Sequence, residues 1–335
     1  MPFIEDILKH KSLSIVGLEK NTGKTECLNY VLKRLKNYDR KVALTSIGID
    51  GETTDQVYQT SKPEVMIYEG MMFVTTEKHY KQKQVTAEIV GISERSTSLG
   101  RLVTARAKAD GKVLISGAPD TAGLKRMVAE LQDFGVDLTI VDGALSRLSL
   151  ASPAITDAMI LATGAAVSSN IHQLVKKTKH AVELIALDEV ETSIKEKLAG
   201  VEKGIWAIDD SGEAHDLQIT SAYSLDNVTT DLFRYGKTIV VFGAITERLL
   251  AHLKAQKNVA EITLVARDFT RFFATPETIS SFIKRGGTLK VMQKTTLVAV
   301  CINPTSPEGY VLNSEQLRTE IQRVAGVPVY DIRKI

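Results

Sequence analysis

The first half of the chain alternates short β-branched runs with amphipathic stretches, a pattern that predicts a parallel sheet with crossover helices. Leu13 to Val16 reads as the first strand. In T-G-K-T-E-C-L-N-Y-V-L-K-R-L, Thr22 to Leu35, the apolar residues Cys27, Leu28, Val31, Leu32 and Leu35 recur at helical spacing, so a loop feeds a helix there. Lys41 to Ile49 reads as a second strand that ends at Asp50-Gly51-Glu52. Three β-rich runs follow, V-M-I-Y-E-G-M-M-F-V-T-T, V-T-A-E-I-V-G-I and G-R-L-V-T-A-R-A, with turn residues and no helix between them. They predict an antiparallel insertion from Glu64 to about Lys108, and insertions on a core of this kind often carry specificity. Alternation resumes with K-V-L-I-S-G at Lys112, a helix from about Ala122 to Phe134, and V-D-L-T-I-V-D-G-A at Val136. Ala158 to Leu161 adds a further strand.

A second alternating series starts near Lys237. T-I-V-V-F-G-A-I runs into the helical T-E-R-L-L-A-H-L-K-A, and E-I-T-L-V-A, T-L-K-V-M, T-L-V-A-V-C-I-N-P and V-P-V-Y-D-I continue it with helices between. The expected class is α/β: a nucleotide-binding domain over 1–185, a connecting region of unassigned structure over 186–236, and a second α/β domain over 237–335.

Composition narrows the partners. The 335 residues are 44% hydrophobic and 24% charged, ordinary for a globular chain with more than one core. Lys plus Arg at 42 against Asp plus Glu at 40 leaves a net charge of +2, so no global field draws in nucleic acid or an anionic membrane. An anionic ligand must then be held by local groups. The two cysteines, Cys27 and Cys301, are far apart in sequence and form no C-x-x-C, which argues against a disulfide framework and for a reducing compartment, with the cytoplasm as the expected location. The amino terminus has no basic segment followed by a long apolar one, and no later run approaches membrane-spanning length.

The local groups are found in S-I-V-G-L-E-K-N-T-G-K-T-E, Ser14 to Glu26. A triphosphate is held by backbone N–H groups at a helix N-terminus, by a lysine that reaches the outer phosphates, and by a hydroxyl that helps hold Mg²⁺. Gly23, Lys24 and Thr25 supply that order between an apolar strand and an amphipathic helix, although the common pattern G-x-x-x-x-G-K-[ST] wants a glycine at position 18, which is leucine. The ion also needs a carboxylate at the end of a neighbouring strand. Asp142, after the apolar L-T-I-V, fits that requirement; Asp50, ending the second strand, is a further candidate for the ion or for orienting a nucleophilic water. Gly236-Lys237-Thr238 repeats the letters ahead of a strand, where its amides cannot open a helix onto a phosphate, and no function is assigned to it.

Gly17, five intervening residues and then Gly23-Lys24-Thr25 resembles the spacing of dethiobiotin synthetase and its relatives among the P-loop ATPases. I-V-D-G-A, Ile140 to Ala144, resembles that group's strand ending in an acidic residue, Gly and Ala, and M-I-L-A-T-G-A-A-V-S-S-N-I-H its later strand leading into an Asn-His turn. The likeness implies a P-loop fold for the first half and MgATP as ligand, with Thr25 and Asp142 sharing the metal and Lys24 on the phosphates. The expected nucleotide-binding residues are Gly17, Lys20, Asn21, Thr22, Gly23, Lys24, Thr25 and Glu26, with Lys24 and Asp50 in catalysis, although Asp50-Gly51 also fits an ordinary turn. Related ATPases that work as dimers send an early loop lysine to the partner's nucleotide, a role Lys20 would take in a homodimer; K-N-T-G-K-T is one residue shorter than the usual form of that loop, and a solvated loop lysine is the preferred reading. After the second strand, T-S-I-G-I-D-G-E replaces the lysine and neighbours that the synthetases use for their diamine substrate. The whole arrangement most resembles the P-loop subunits of lysine 5,6-aminomutase reactivases. That likeness implies an ATPase acting on an adenosylcobalamin-dependent aminomutase together with a second reactivase subunit; the alternative is a small-molecule ligase or kinase of the synthetase type.

Other chemistries lack their motifs. The six histidines show neither H-E-x-x-H nor pairing with cysteine, so no zinc site is expected. G-x-S-x-G, a helix-opening G-x-G-x-x-G and a cobalamin-type D-x-H-x-x-G are all missing. Arg147, five residues past Asp142, is a candidate to meet phosphate or a partner carboxylate, with a solvent-facing arginine the preferred reading.

Overall fold

The computed structural model describes residues 2–47, 65–144, 152, 155–221 and 232–335. The chain is α/β and divides into two compact units, Met1–Lys179 with Thr295–Ile335, and His180–Lys294.

In the first unit the expected order begins with α1 (Ile4–Ile7), β1 (Ser12–Gly17), α2 (Lys24–Leu35) and β2 (Val42–Ser46). Every residue of β1 is buried, as a parallel strand covered on both faces requires. Helix α2 buries Cys27, Leu28, Val31, Leu32 and Leu35, the stripe read from the sequence, against the sheet. There follow β3 (Val65–Ile67), β4 (Met72–Thr76), α3 (Glu77–Gln82), β5 (Ala87–Thr97), β6 (Gly100–Ala107), β7 (Gly111–Val113), α4 (Thr121–Asp133), β8 (Leu138–Ala144), β9 (Ala158–Gly164) and α5 (Ile171–Ile185), the last crossing into the second unit.

The insertion differs from expectation in three ways. Strand β4 pairs with β2 in parallel and so extends the main sheet; only β6 and β5 beyond it run antiparallel. A helix, α3, stands between β4 and β5, started by Thr76, whose hydroxyl accepts from the His79 N–H at 3.2 Å. And K-V-L-I-S-G does not enter the parallel sheet, because its strand portion, β7, pairs with β3 as a separate ribbon. Glu64, the expected start of the insertion, lies outside the described residues.

The second unit contains α6 (Thr192–Lys197), β10 (Ile205–Ile208), β11 (Ala214–Ile219), β12 (Thr238–Val241), α7 (Glu247–Lys254), β13 (Thr263–Ala266), α8 (Pro276–Lys284) and β14 (Thr288–Val291). Its sheet runs β11-β10-β12-β13-β14, parallel from β12 to β14 and antiparallel on the other side. Apolar clusters cover both faces, one with Leu249, Leu250, Leu253 and Phe282, the other with Val190, Ile194 and Leu198. The region 186–236 expected to connect two domains therefore belongs largely to this unit, as α6, β10 and β11.

The expected second domain over 237–335 is corrected at its carboxyl end. β15 (Thr296–Asn303), α9 (Ser314–Ala325) and β16 (Val329–Asp331) return to the first unit. β15 pairs in parallel with β9, placing Cys301 beside Ala162 and Asn303 beside Gly164, and β16 pairs with β15. The completed sheet runs β16-β15-β9-β1-β8-β2-β4-β6-β5. Burial selects this arrangement: Ala299, Val300, Cys301 and Ile302 are 3% exposed or less, and Leu317 and Ile321 of α9 are fully buried.

Candidate functional site

The carboxyl ends of parallel strands are where open α/β sheets place ligands. Strand β1 ends at Gly17, level with Ala144 of β8 and Ala162 of β9, while Ser46 at the end of β2 lies beside Asp142. The chain then turns through residues 18–23 into α2.

The turn is shaped by its own side chains. The Thr22 hydroxyl, buried, donates to the Glu19 carbonyl at 3.0 Å, and a β-carbon on Gly17 would lie 2.5 Å from that hydroxyl, so only glycine fits there. Asn21 and Gly23 take the left-handed conformation, with φ 61° and 87°. Gly23 is the N-cap of α2 and offers no side chain to its first N–H groups. The first donors of α2 are therefore left without a capping side chain, as at helix starts that can hold an anion.

Lys24, the first residue of α2, reaches Asp142 on β8: Nζ stands 2.8 Å from Oδ1, with the side chains 26% and 21% exposed. The distance is that of an ion pair, but Oδ1 is buried and accepts no hydrogen bond of normal angle among the described residues. The lysine thus neutralises the carboxylate without giving it an oriented donor. The Asp142 carbonyl accepts from the Ser46 hydroxyl at 3.1 Å, which ties β8 to β2 at this level.

A cleft of about 430 Å³ opens over the turn. One wall is Gly17, Glu19, Lys20, Asn21, Gly23, Lys24, Thr25 and Glu26; the other is Asn303, Thr305, Ser306, Pro307 and Arg333 from the returning carboxyl segment. The walls touch through Asn303, whose Nδ2 donates to the Asn21 carbonyl at 3.4 Å and whose Oδ1 accepts from Thr305 N–H at 3.1 Å.

Of the residues expected at the site, the structure brings Gly17, Lys20, Asn21, Gly23, Lys24, Thr25 and Glu26 to the cleft and joins Asp142 to it through Lys24. Thr22 sits behind the turn and shapes it. Asp50 and Arg147 lie outside the described residues. Asn303, Thr305, Ser306 and Arg333 were not expected, because the strand before them reads as part of a second domain. The one signal they carry is a buried apolar run ending in the polar, proline-bounded N-P-T-S-P.

The residues fit a hard divalent cation of the Mg²⁺ type, for which a single buried carboxylate oxygen lacking an oriented donor and a hydroxyl at a helix start are the usual protein contribution. No group of three or more His, Cys, Asp or Glu able to hold a metal by protein ligands alone occurs among the described residues. No helix among them is long and apolar enough to cross a membrane.

Compared with protein-family models, with curated proteins and with solved structures, the chain matches none.

Proposed function

We propose that the first unit binds MgATP in the cleft over residues 17–26 and hydrolyses it slowly, coupling the cycle to remodelling of a partner enzyme. The observation that carries this reading is the Lys24–Asp142 pair at 2.8 Å, set at the mouth of a glycine turn that opens a helix. An ammonium group held on a partly buried carboxylate is ready to transfer to an incoming phosphate, and the carboxylate it leaves is ready for the cation that travels with the nucleotide.

In this scheme the N–H groups at the start of α2 take the inner phosphates, and Lys24 takes the outer ones. Thr25 and Asp142 would hold the cation, which would supply charge neutralisation to the phosphate oxygens. Asp50 is assigned the orientation of the attacking water. The Asn303 wall closes the opposite side and holds the rest of the nucleotide. Catalysis is then mostly positioning and charge stabilisation, as phosphoryl transfer requires.

The partner proposal draws on the resemblance to aminomutase reactivases. A separate α/β unit inserted between β9 and β15 gives such an ATPase a second body on which nucleotide state can act. The test is phosphate release by the purified chain with MgATP, alone, with an adenosylcobalamin-dependent aminomutase and the second reactivase subunit, and with a panel of amino and carboxylic acids. Stimulation by the proteins is expected. Dependence on a small acid or amine would instead indicate ligase or kinase chemistry, and absence of MgATP binding would overturn the proposal.

A further inference from the structure

Cys27 and Cys301, the only cysteines of the chain, are 274 positions apart, yet their sulfurs stand 3.5 Å from each other. Both are buried, at 0% and 2% exposure. Cys27 lies in the first turn of α2, three residues beyond Lys24, and Cys301 lies on β15, two residues before Asn303. The thiols therefore join, beneath the cleft, the two segments that form its walls.

Beside Cys301 is a cavity of about 10 Å³, lined also by Thr22, Gly23, Glu26 and Asn303 but not by Cys27. It has room for a molecule the size of water and no more. A small peroxide can approach Cys301 through it by slight breathing of the walls, whereas a bulky disulfide cannot.

We propose that Cys27 and Cys301 are a peroxide-sensitive dithiol whose oxidation to a disulfide distorts the nucleotide cleft and lowers its affinity. The consequence for nucleotide rests on the function proposed above; the oxidation itself does not. Cys301 is the thiol that lines the cavity and is therefore the attacking sulfur; burial, and then the neighbouring Cys27, push it well above the usual cysteine range, so the attack is slow. Cys301 attacks hydrogen peroxide: an S–O bond forms, the O–O bond breaks, and the departing hydroxide takes the proton Cys301 released, leaving as water. Cys27 then attacks the Cys301 sulfenic sulfur, an S–S bond forms as the S–O bond breaks, and the hydroxyl leaves as a second water with the Cys27 proton. Two thiols are oxidised by two electrons and one peroxide is reduced.

A disulfide needs its sulfurs about 2.0 Å apart, so each segment must yield toward the other. There is little slack for this, because Asn303 already lies against Gly23, where an added β-carbon would stand 2.8 Å from Asn303 Cβ. Drawing Cys27 toward β15 shifts the first turn of α2, and with it Lys24 and the first N–H groups of the helix.

The test uses the full reduced chain treated with hydrogen peroxide, then alkylated, digested and examined by mass spectrometry, with MgATP affinity measured by titration before and after. The expected results are a linked peptide pair containing Cys27 and Cys301, a fall in affinity of about tenfold or more that dithiothreitol reverses, and no reaction of the native protein with a bulky aromatic disulfide. Cys27→Ala and Cys301→Ala should each keep the reduced protein's affinity and lose the peroxide response. Unlinked peptides after peroxide, a linked protein with unchanged affinity, or a response that persists in both variants would overturn the inference. A reduced protein that binds no nucleotide would overturn the proposed function alone; the dithiol would then be judged by the linked pair together with a change in α2 amide exchange on oxidation, and fail without them.

Discussion

Gly23-Lys24-Thr25 and Gly236-Lys237-Thr238 are the same three residues in two settings. The first glycine caps a helix at φ 87°, and the lysine after it opens α2 and reaches Asp142. The second glycine precedes a strand, packed so closely on β10 that a β-carbon would lie 2.0 Å from the Ile208 carbonyl oxygen. Its lysine is exposed at the amino end of β12, with Nζ 4.8 Å from the centre of the Phe233 ring. In the first setting the N–H groups that follow are the unpaired donors of a helix start; in the second, the amides from Thr238 onward lie in a strand whose neighbours are β10 and β13. Identical side chains thus stand in different chemical settings, and only in the first does the backbone leave donors unspent beside the lysine with a carboxylate within reach.

That contrast is broken or sharpened most strongly by the paired lysine variants. Lys24→Ala is expected to reduce MgATP turnover by about a hundredfold or more with the fold retained, as read by circular dichroism, while Lys237→Ala leaves turnover and affinity as they are; equal effects would remove the distinction. Next in size are the glycines. Gly23→Ala places a β-carbon in a left-handed position and against Asn303, at a cost of about 1–3 kcal/mol in stability, and also weakens nucleotide binding. Gly236→Ala should destabilise the second unit in urea titrations and leave nucleotide affinity unchanged. Asn303→Ala, which removes the contact between the walls, is expected to weaken MgATP binding by about 1 kcal/mol, measured by titration calorimetry.

The smallest effect concerns pH and separates the two units. Burial lowers the His180 pKa from its ordinary value near 6.5, with Glu183 and Glu277 opposing in part. A base whose folded pKa is depressed binds its proton first in the unfolded chain, so stability falls as pH drops from about 6.5 toward the folded value. Unfolding of the second unit should therefore carry a proton-linked slope below neutral pH that His180→Gln flattens, detectable in denaturation curves taken between pH 7 and 5.

Much of the first unit was legible because its signals are local. The stripe Cys27, Leu28, Val31, Leu32 and Leu35 has one period, and each member is buried. L-T-I-V-D-G-A is a strand whose aspartate emerges at the end that matters. What local pattern could not supply was pairing. T-L-V-A-V-C-I-N continues the alternation of the second unit without a break, yet its partner is Ala158–Gly164, more than a hundred residues earlier. Likewise, the six residues of α3 are too few to show helical period, and a capping threonine at the end of a strand gave the only hint of them.

Residue order alone settled which elements form in most of the chain, and that a glycine turn delivers Lys24 to a helix start, because periodicity and backbone freedom act over a few residues. Tertiary structure decided that β15 closes onto β9, that Asn303 forms the far wall of the cleft, and that two thiols 274 positions apart meet beneath it. Those outcomes depend on which apolar surfaces find one another, and burial is indifferent to separation along the chain.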